Sequence, residues 1–282
     1  MTMPSIVDGL RGSGRGIGAF NAILLEHAEA IVAGAEDARL PVILQISQNA
    51  VLYHGSLAPF AAACLSLAAH ASVPVVVHLD HAEDEALIDQ AVALGIRSVM
   101  FDAAALPYAD NVARTRAVVE RCHAAGCWVE AELGEIGGKD GAHAPGVRTD
   151  PAEAAAFVAA TGVDALAVAV GSSHAMNTRD AVLDDELIGR LAAAVPVPLV
   201  LHGSSGVPED GLRRAVREGI TKVNVGTLLN RVLTGKVRET LAERTELTDP
   251  RKYLSPGRDA VRTAVAQTLR LLAPAPSPVA GH

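Results

Sequence analysis

The sequence predicts an α/β chain folded as one (β/α)8 barrel with a C-terminal helical extension. Three observations carry that expectation. Short β-branched runs alternate with longer Ala-rich stretches of helical period along the 282 residues, the rhythm of repeated βα units. Eight such runs can be counted, and they are largely apolar, as expected of parallel strands covered on both faces. No long Ser/Pro linker divides the chain, and a barrel of this kind needs roughly 250 residues as a single domain. Residues 1–273 are therefore read as one domain and PAPSPVAGH, 274–282, as a disordered tail.

In order, the strands are expected at 17–20, 42–46, 75–79, 98–101, 128–132, 165–168, 199–201 and 222–225. Punctuation supports the spacing: Pro41 and Pro74 stand just before strands, Pro208 opens a helix over 209–217, and Gly95 and Gly219 sit where helices should end. The competing architecture, a doubly wound open sheet, wants a Gly-rich turn between its first strand and first helix. The candidate GSGRGIG at 12–18 precedes the first strand and has the wrong spacing for GxGxxG, so it is read as a flexible lead-in.

Composition narrows the function. Half of the residues are hydrophobic but only 3% aromatic, which gives a buried core of Ala, Val, Leu and Ile and excludes disorder. The three cysteines at 64, 122 and 127 form no CxxC pair, and they suit a reducing cytosol. A net charge of −8 argues against a general nucleic-acid binder while leaving room for a local phosphate site. Mean hydropathy is +0.27, yet the longest apolar stretch, 191–201, is interrupted by two prolines and is far shorter than the roughly 18 residues of a spanning helix. The opening MTMPSIVDGLRG lacks the apolar centre of a signal peptide, so a cytoplasmic protein without membrane attachment is expected.

A barrel carries its reactive groups at the C-terminal ends of its strands. Those positions are polar here: Asp80 and His81 after the third strand, Asp102 after the fourth, Glu132 after the fifth, His174 after the sixth, His202 after the seventh and Asn224 on the eighth. His81, His174 and His202 on one rim can converge on a metal ion, with open positions as in catalytic zinc sites. A single histidine is more often a core or surface residue, which is the reading for His27, His54, His70, His123 and His143. Asp80, beside a candidate ligand, is either a proton carrier or a helix cap. Asp102 and Glu132 either bind a displaced metal position or pair with neighbouring barrel residues. HGSSG at 202–206 and NVGT at 224–227 are small, donor-rich turns where many barrels bind phosphate.

Taken together, VVVHLDHAED at 75–84, RSVMFDAAALPYADN at 97–111, VEAELGEIGG at 129–138, TGVDALAVAVGSSHA at 161–175, LVLHGSSGV at 199–207 and KVNVGTLL at 222–229 resemble the class II, metal-dependent ketose-bisphosphate aldolases. The similarity runs from GAFNA near 18 to DPRKYLSPGRDAV near 261. It implies a zinc-dependent barrel, dimeric or tetrameric, that cleaves a ketose bisphosphate to dihydroxyacetone phosphate and an aldehyde. It further implies His81, His174 and His202 as zinc ligands, Asp80 as general acid/base, and Glu132 and Asp102 near an alternative metal position. Gly203, Ser205, Asn224 and Thr227 fall at the dihydroxyacetone phosphate site, often accompanied by Na+ or K+. Asn21 and Ser47 fall at substrate-facing positions, and Arg258 resembles a basic residue for the distal phosphate.

The chemistry fits those implied roles. Breaking the C3–C4 bond leaves an enediolate, which a Lewis-acid metal stabilises. Imine aldolases use a strand-end lysine instead, and Lys139, Lys222, Lys236 and Lys252 are read as misplaced for that, Lys222 because it begins the eighth strand at the opposite rim.

The chain departs from the family pattern at Ala175, where Gly is usual, at Ala103, where Ser is usual, and in the loop Gly138-Lys139-Asp140-Gly141, where Glu135 and Asp140 are the alternative acids. Fructose and tagatose 1,6-bisphosphate stay open as substrates, as does a deoxy-phosphogluconate. A barrel that binds sugar phosphate without turning it over is the rival from another class.

Overall fold

A computed structural model describes residues 2–133, 148–172 and 179–274. Eight parallel strands close on themselves in chain order: β1 (Ile17–Asn21), β2 (Val42–Ser47), β3 (Val75–Ala82), β4 (Ser98–Phe101), β5 (Trp128–Glu132), β6 (Ala165–Ala167), β7 (Leu199–Leu201) and β8 (Ile220–Val225). The ring is sealed where Ile17 to Phe20 of β1 pair with Lys222 to Val225 of β8. This is the expected (β/α)8 barrel, and every expected strand is present.

Between the strands run α2 (Leu25–Ala38), α3 (Gln48–His54), α4 (Ala58–His70), α5 (Glu85–Ala93), α6 (Tyr108–Ala124), α7 (Pro151–Thr161), α8 (Asp185–Ala194) and α9 (Glu209–Glu218), followed by α10 (Thr227–Glu243) and α11 (Pro250–Leu272). Asp84, Asp150, Asp184 and Asp249 each cap the helix that follows by accepting a backbone N–H of its first turn. The C-terminal extension is α11, whose main partner is α2. Among the described residues no helix is long and apolar enough to cross a membrane.

The lead-in is ordered rather than flexible. A short helix, α1 (Met3–Val7), buries Met3, Ile6 and Val7 against Ile17, Ile43, Val76, Met100 and Trp128. Gly16 donates its N–H to the Leu272 carbonyl, and Ile17 and Gly18 already belong to β1. The physical reason is an open barrel floor, which needs an apolar plug that short strands cannot supply themselves.

The residues packed against this plug reveal which face of each strand looks inward. Side chains alternate along a strand, so Ala19 on β1 places Asn21 inward, Ile43 places Gln45 and Ser47, and Val76 places His78 and Asp80. By the same parity Trp128 places Glu130 and Glu132, and Val200 places His202. The barrel is thus apolar at its floor and increasingly polar towards the C-terminal rim.

Candidate active site

His81 breaks that alternation. β3 continues to Ala82 instead of stopping at 79, with a register irregularity between Leu79 and Ala82 against β4. Within it His81 adopts a left-handed backbone, φ 48°. Such a conformation costs a residue with a Cβ roughly 1–3 kcal/mol, and it lets two consecutive side chains, Asp80 and His81, both serve the interior.

The His81 Nδ1–H donates to Asp102 Oδ2 at 2.7 Å. Across the barrel, the His202 Nε2–H donates to Glu130 Oε1 at 3.0 Å, and the Asn224 side-chain amide lies 3.2 Å from the same nitrogen. With both outer nitrogens so engaged, His81 Nε2 and His202 Nδ1 face each other at 2.8 Å. Two nitrogens in that arrangement need a cation between them, either a proton or a metal ion. Glu132 completes the group, with one ligand atom from each of His81, Glu132 and His202 within 4.8 Å of one another. Two imidazoles and a carboxylate are donors suited to a divalent metal such as zinc, so the residues present fit the group. His174 lies outside the described residues, as do Ala175, Glu135 and the loop from Gly138 to Gly141.

Asp102, one of the two acids expected near a metal position, holds the outer nitrogen of His81. Asp80 is gripped at both oxygens: Asn21 Nδ2 donates to Oδ2 at 2.8 Å and Asn224 Nδ2 to Oδ1 at 3.2 Å. Burial pushes the Asp80 carboxyl up, but His81, His202, Lys222 and the Asn21 hydrogen bond outweigh it and leave it below the usual aspartate value. Asp80 is therefore a carboxylate at neutral pH. Ser47 pairs with Asp80 in the β2–β3 register, and its hydroxyl caps α3 through the Ala50 N–H.

The two donor-rich turns meet. Gly203 takes a left-handed backbone, φ 66°, that starts the short turn Ser204–Gly206. Ser204 Oγ donates to the Asn224 carbonyl, and Ser205 Oγ accepts the Leu228 N–H at 3.2 Å. The turn after β7 is thereby fastened to the end of β8 and the first turn of α10, where Thr227 is the first residue. Asn224 Oδ1 is buried and makes no hydrogen bond to the protein. Arg258 lies on α11 and pairs with Glu29 of α2 at 2.7 Å.

Lys222 is not at the opposite rim. β8 begins at Ile220, and Lys222 lies inside the barrel, 1% exposed, donating to Glu130 Oε2 at 2.6 Å. Its burial beside a carboxylate leaves it committed to an ion pair. Reading strand ends alone overlooked both partners, although parity with Asn224 and Glu132 places them on the inward face. His78, also inward, bonds Ser98 Oγ at 2.7 Å, and burial followed by the charge of Lys222 holds it well below the usual imidazole value.

Residues 1–275 match the family described as fructose-bisphosphate aldolase class-II. The chain belongs to the class II fructose-bisphosphate aldolase family. Among solved structures, the YdjI aldolase from Escherichia coli K12 is similar at 31% identity and TM-score 0.84, with 96% of each chain covered. A provisionally assigned fructose-1,6-bisphosphate aldolase from Coccidioides immitis matches at 30% identity and TM-score 0.84, over 96% of this class II aldolase chain and 95% of that one. Fructose-bisphosphate aldolase from Campylobacter jejuni, at 21% identity and TM-score 0.80 over 96% and 93% of the two chains, shares the fold.

Proposed function

We propose that this chain catalyses reversible aldol cleavage of a ketose bisphosphate, fructose or tagatose 1,6-bisphosphate, to dihydroxyacetone phosphate and an aldehyde. The observation that carries this reading is the pair of carboxylate-braced imidazoles, His81 and His202, facing each other beside the Asp80 carboxylate. His81, His202 and Glu132 would hold zinc, with His174 as the further ligand implied by the family motif.

When bound, the metal supplies Lewis-acid stabilisation of the negative charge that C3–C4 cleavage leaves on the three-carbon fragment. The protein's own groups do the rest. Asp80 accepts the C4 hydroxyl proton in cleavage and returns it in condensation, while Asn21 and Asn224 hold both of its oxygens. Gly203, Ser205 and Thr227 hold the phosphate at the fastened turns, with backbone N–H groups and the N-terminus of α10 opposing its charge, and Na+ or K+ shares that site. Asn224 Oδ1 offers a buried acceptor to a substrate hydroxyl. Ser47 faces the substrate from β2. Cytoplasmic location and a homodimer or homotetramer complete the reading.

An aldol-cleavage assay across ketose phosphates, with and without a chelator, tests it. Cleavage of a ketose bisphosphate that stops on metal removal and returns with zinc is expected. Activity surviving full metal removal would sink the metal mechanism, and no turnover of any ketose phosphate by the zinc-loaded protein would leave a binding barrel.

A further inference from the structure

The two facing histidines are braced in unlike surroundings. His81 leans on Asp102 close to the rim, with side chains 13% and 8% exposed, whereas the His202 and Glu130 side chains are fully buried and Lys222 is 1% exposed. Water cannot assist the inner brace. An isolated carboxylate there would be strongly disfavoured, and a single partner would not satisfy both of its oxygens. Glu130 divides them: Oε2 takes Lys222 Nζ at 2.6 Å and Oε1 takes the His202 Nε2–H at 3.0 Å.

The backbone makes room for this bridge. Glu130 stands on β5, while its partners stand immediately after β7 and on β8, so the carboxylate must pass β6. The inward residues of β6 are Ala165 and Ala167, whose small side chains leave that path open. An ion pair serving only to fill the barrel would have no need of His202. Here the imidazole takes one of the two oxygens, and its remaining nitrogen is the one that faces His81.

We infer that Glu130 and Lys222 are a positioning pair for the metal centre. Glu130 fixes His202 as the Nε2–H tautomer, so that the Nδ1 lone pair is presented to the ion, and Lys222 holds the other oxygen of Glu130 and so orients it for that task. The inference rests on the metal-centre reading given under Proposed function.

The test replaces both charges at once, because either single change strands a buried ion. Glu130→Leu/Lys222→Met keeps similar volume and removes the carboxylate acceptor for His202, and such apolar replacements of buried pairs are often neutral or stabilising. Zinc affinity is measured by competition with a chromophoric chelator, and cobalt substitution reports ligand geometry. The double variant is expected to fold, to bind zinc roughly 10–100-fold more weakly, and to show an altered cobalt d–d spectrum. Glu130→Gln/Lys222→Met, which restores a neutral acceptor, is expected to recover most of the affinity.

Parental affinity and an unchanged cobalt spectrum in the folded Leu/Met variant would overturn the positioning role alone. A parent protein that binds no zinc would overturn the metal-centre reading and this inference with it. Should the variant not fold, nitrogen-15 NMR of the histidine-labelled parent without metal decides, with the His202 signal identified by its loss in His202→Gln. Protonation at Nε2 supports the assignment, and protonation at Nδ1 overturns it.

Discussion

Asp80 combines two properties that a carboxylate rarely has together, burial and a retained charge. Burial alone would raise its proton affinity, yet the cationic surroundings and the Asn21 donor reverse the balance. Substitution Asp80→Ala removes the proposed proton acceptor and leaves His81, Glu132 and His202 in place. The variant should bind zinc and dihydroxyacetone phosphate within a few-fold of the parent, by calorimetry, while kcat for cleavage falls roughly 10²–10⁴-fold. Unchanged turnover would show that another group carries the proton. The candidate residue was legible because Asp80 and His81 stand side by side in the sequence at a strand end. The means by which both reach one site was not, since the left-handed backbone at His81 depends on how β3 meets β4 and on no local turn residue. Glu130 and Lys222 lie in the strand interiors, where ionisable residues are uncommon, and only the two-residue alternation of neighbouring strands marks them as inward.

Among the elements, the strands were the most readable because each is a short, mainly apolar run bounded by Gly, Pro or polar residues. Helix α1 was not, because a five-residue segment has no periodicity, and its stability comes from the floor it covers. The packing of α2 on α11 illustrates the same limit. Gly34 of α2 sits so close to α11 that an added Cβ would meet the Arg262 carbonyl oxygen at 2.6 Å and Val265 Cβ at 2.8 Å. In the sequence Gly34 reads as a weak helix former, and its reason is a partner far along the chain. Gly34→Ala should gain up to about 1 kcal/mol of intrinsic helix propensity. The clash is with backbone, which cannot rotate away, so overpacking of about 1–3 kcal/mol is expected to win. Urea unfolding should give a lower midpoint, with zinc affinity unaltered because the contact lies outside the barrel interior. A midpoint equal to or above the parent's would show that α11 can shift at no cost.

At the scale of the whole molecule, the −8 net charge and the proposed phosphate substrate are compatible. In the proposed function, binding at the rim would rely on a metal, backbone N–H groups and hydroxyls, none of which enters the count of formal charges, and Arg258 is tied to Glu29. The proposed metal centre also bears on global stability. Its candidate ligands stand on β3, on β5 and immediately after β7, so an ion joins strands that are not hydrogen-bonded to one another. Those ligands are far apart in sequence, and an unfolded chain does not hold them together. Free zinc at 100 times its dissociation constant therefore stabilises the folded state by about 2.7 kcal/mol. For chains of 150–250 residues, each kcal/mol moves Tm by about 2–4 °C, and this chain is slightly longer. Calorimetry of the metal-depleted protein should show a Tm several degrees below that of the zinc-loaded form, and adding zinc should restore it. In His202→Gln, which removes one ligand and keeps a polar side chain, the zinc-dependent rise should largely vanish. A Tm indifferent to zinc in the parent would mean that the facing imidazoles do not form a metal site.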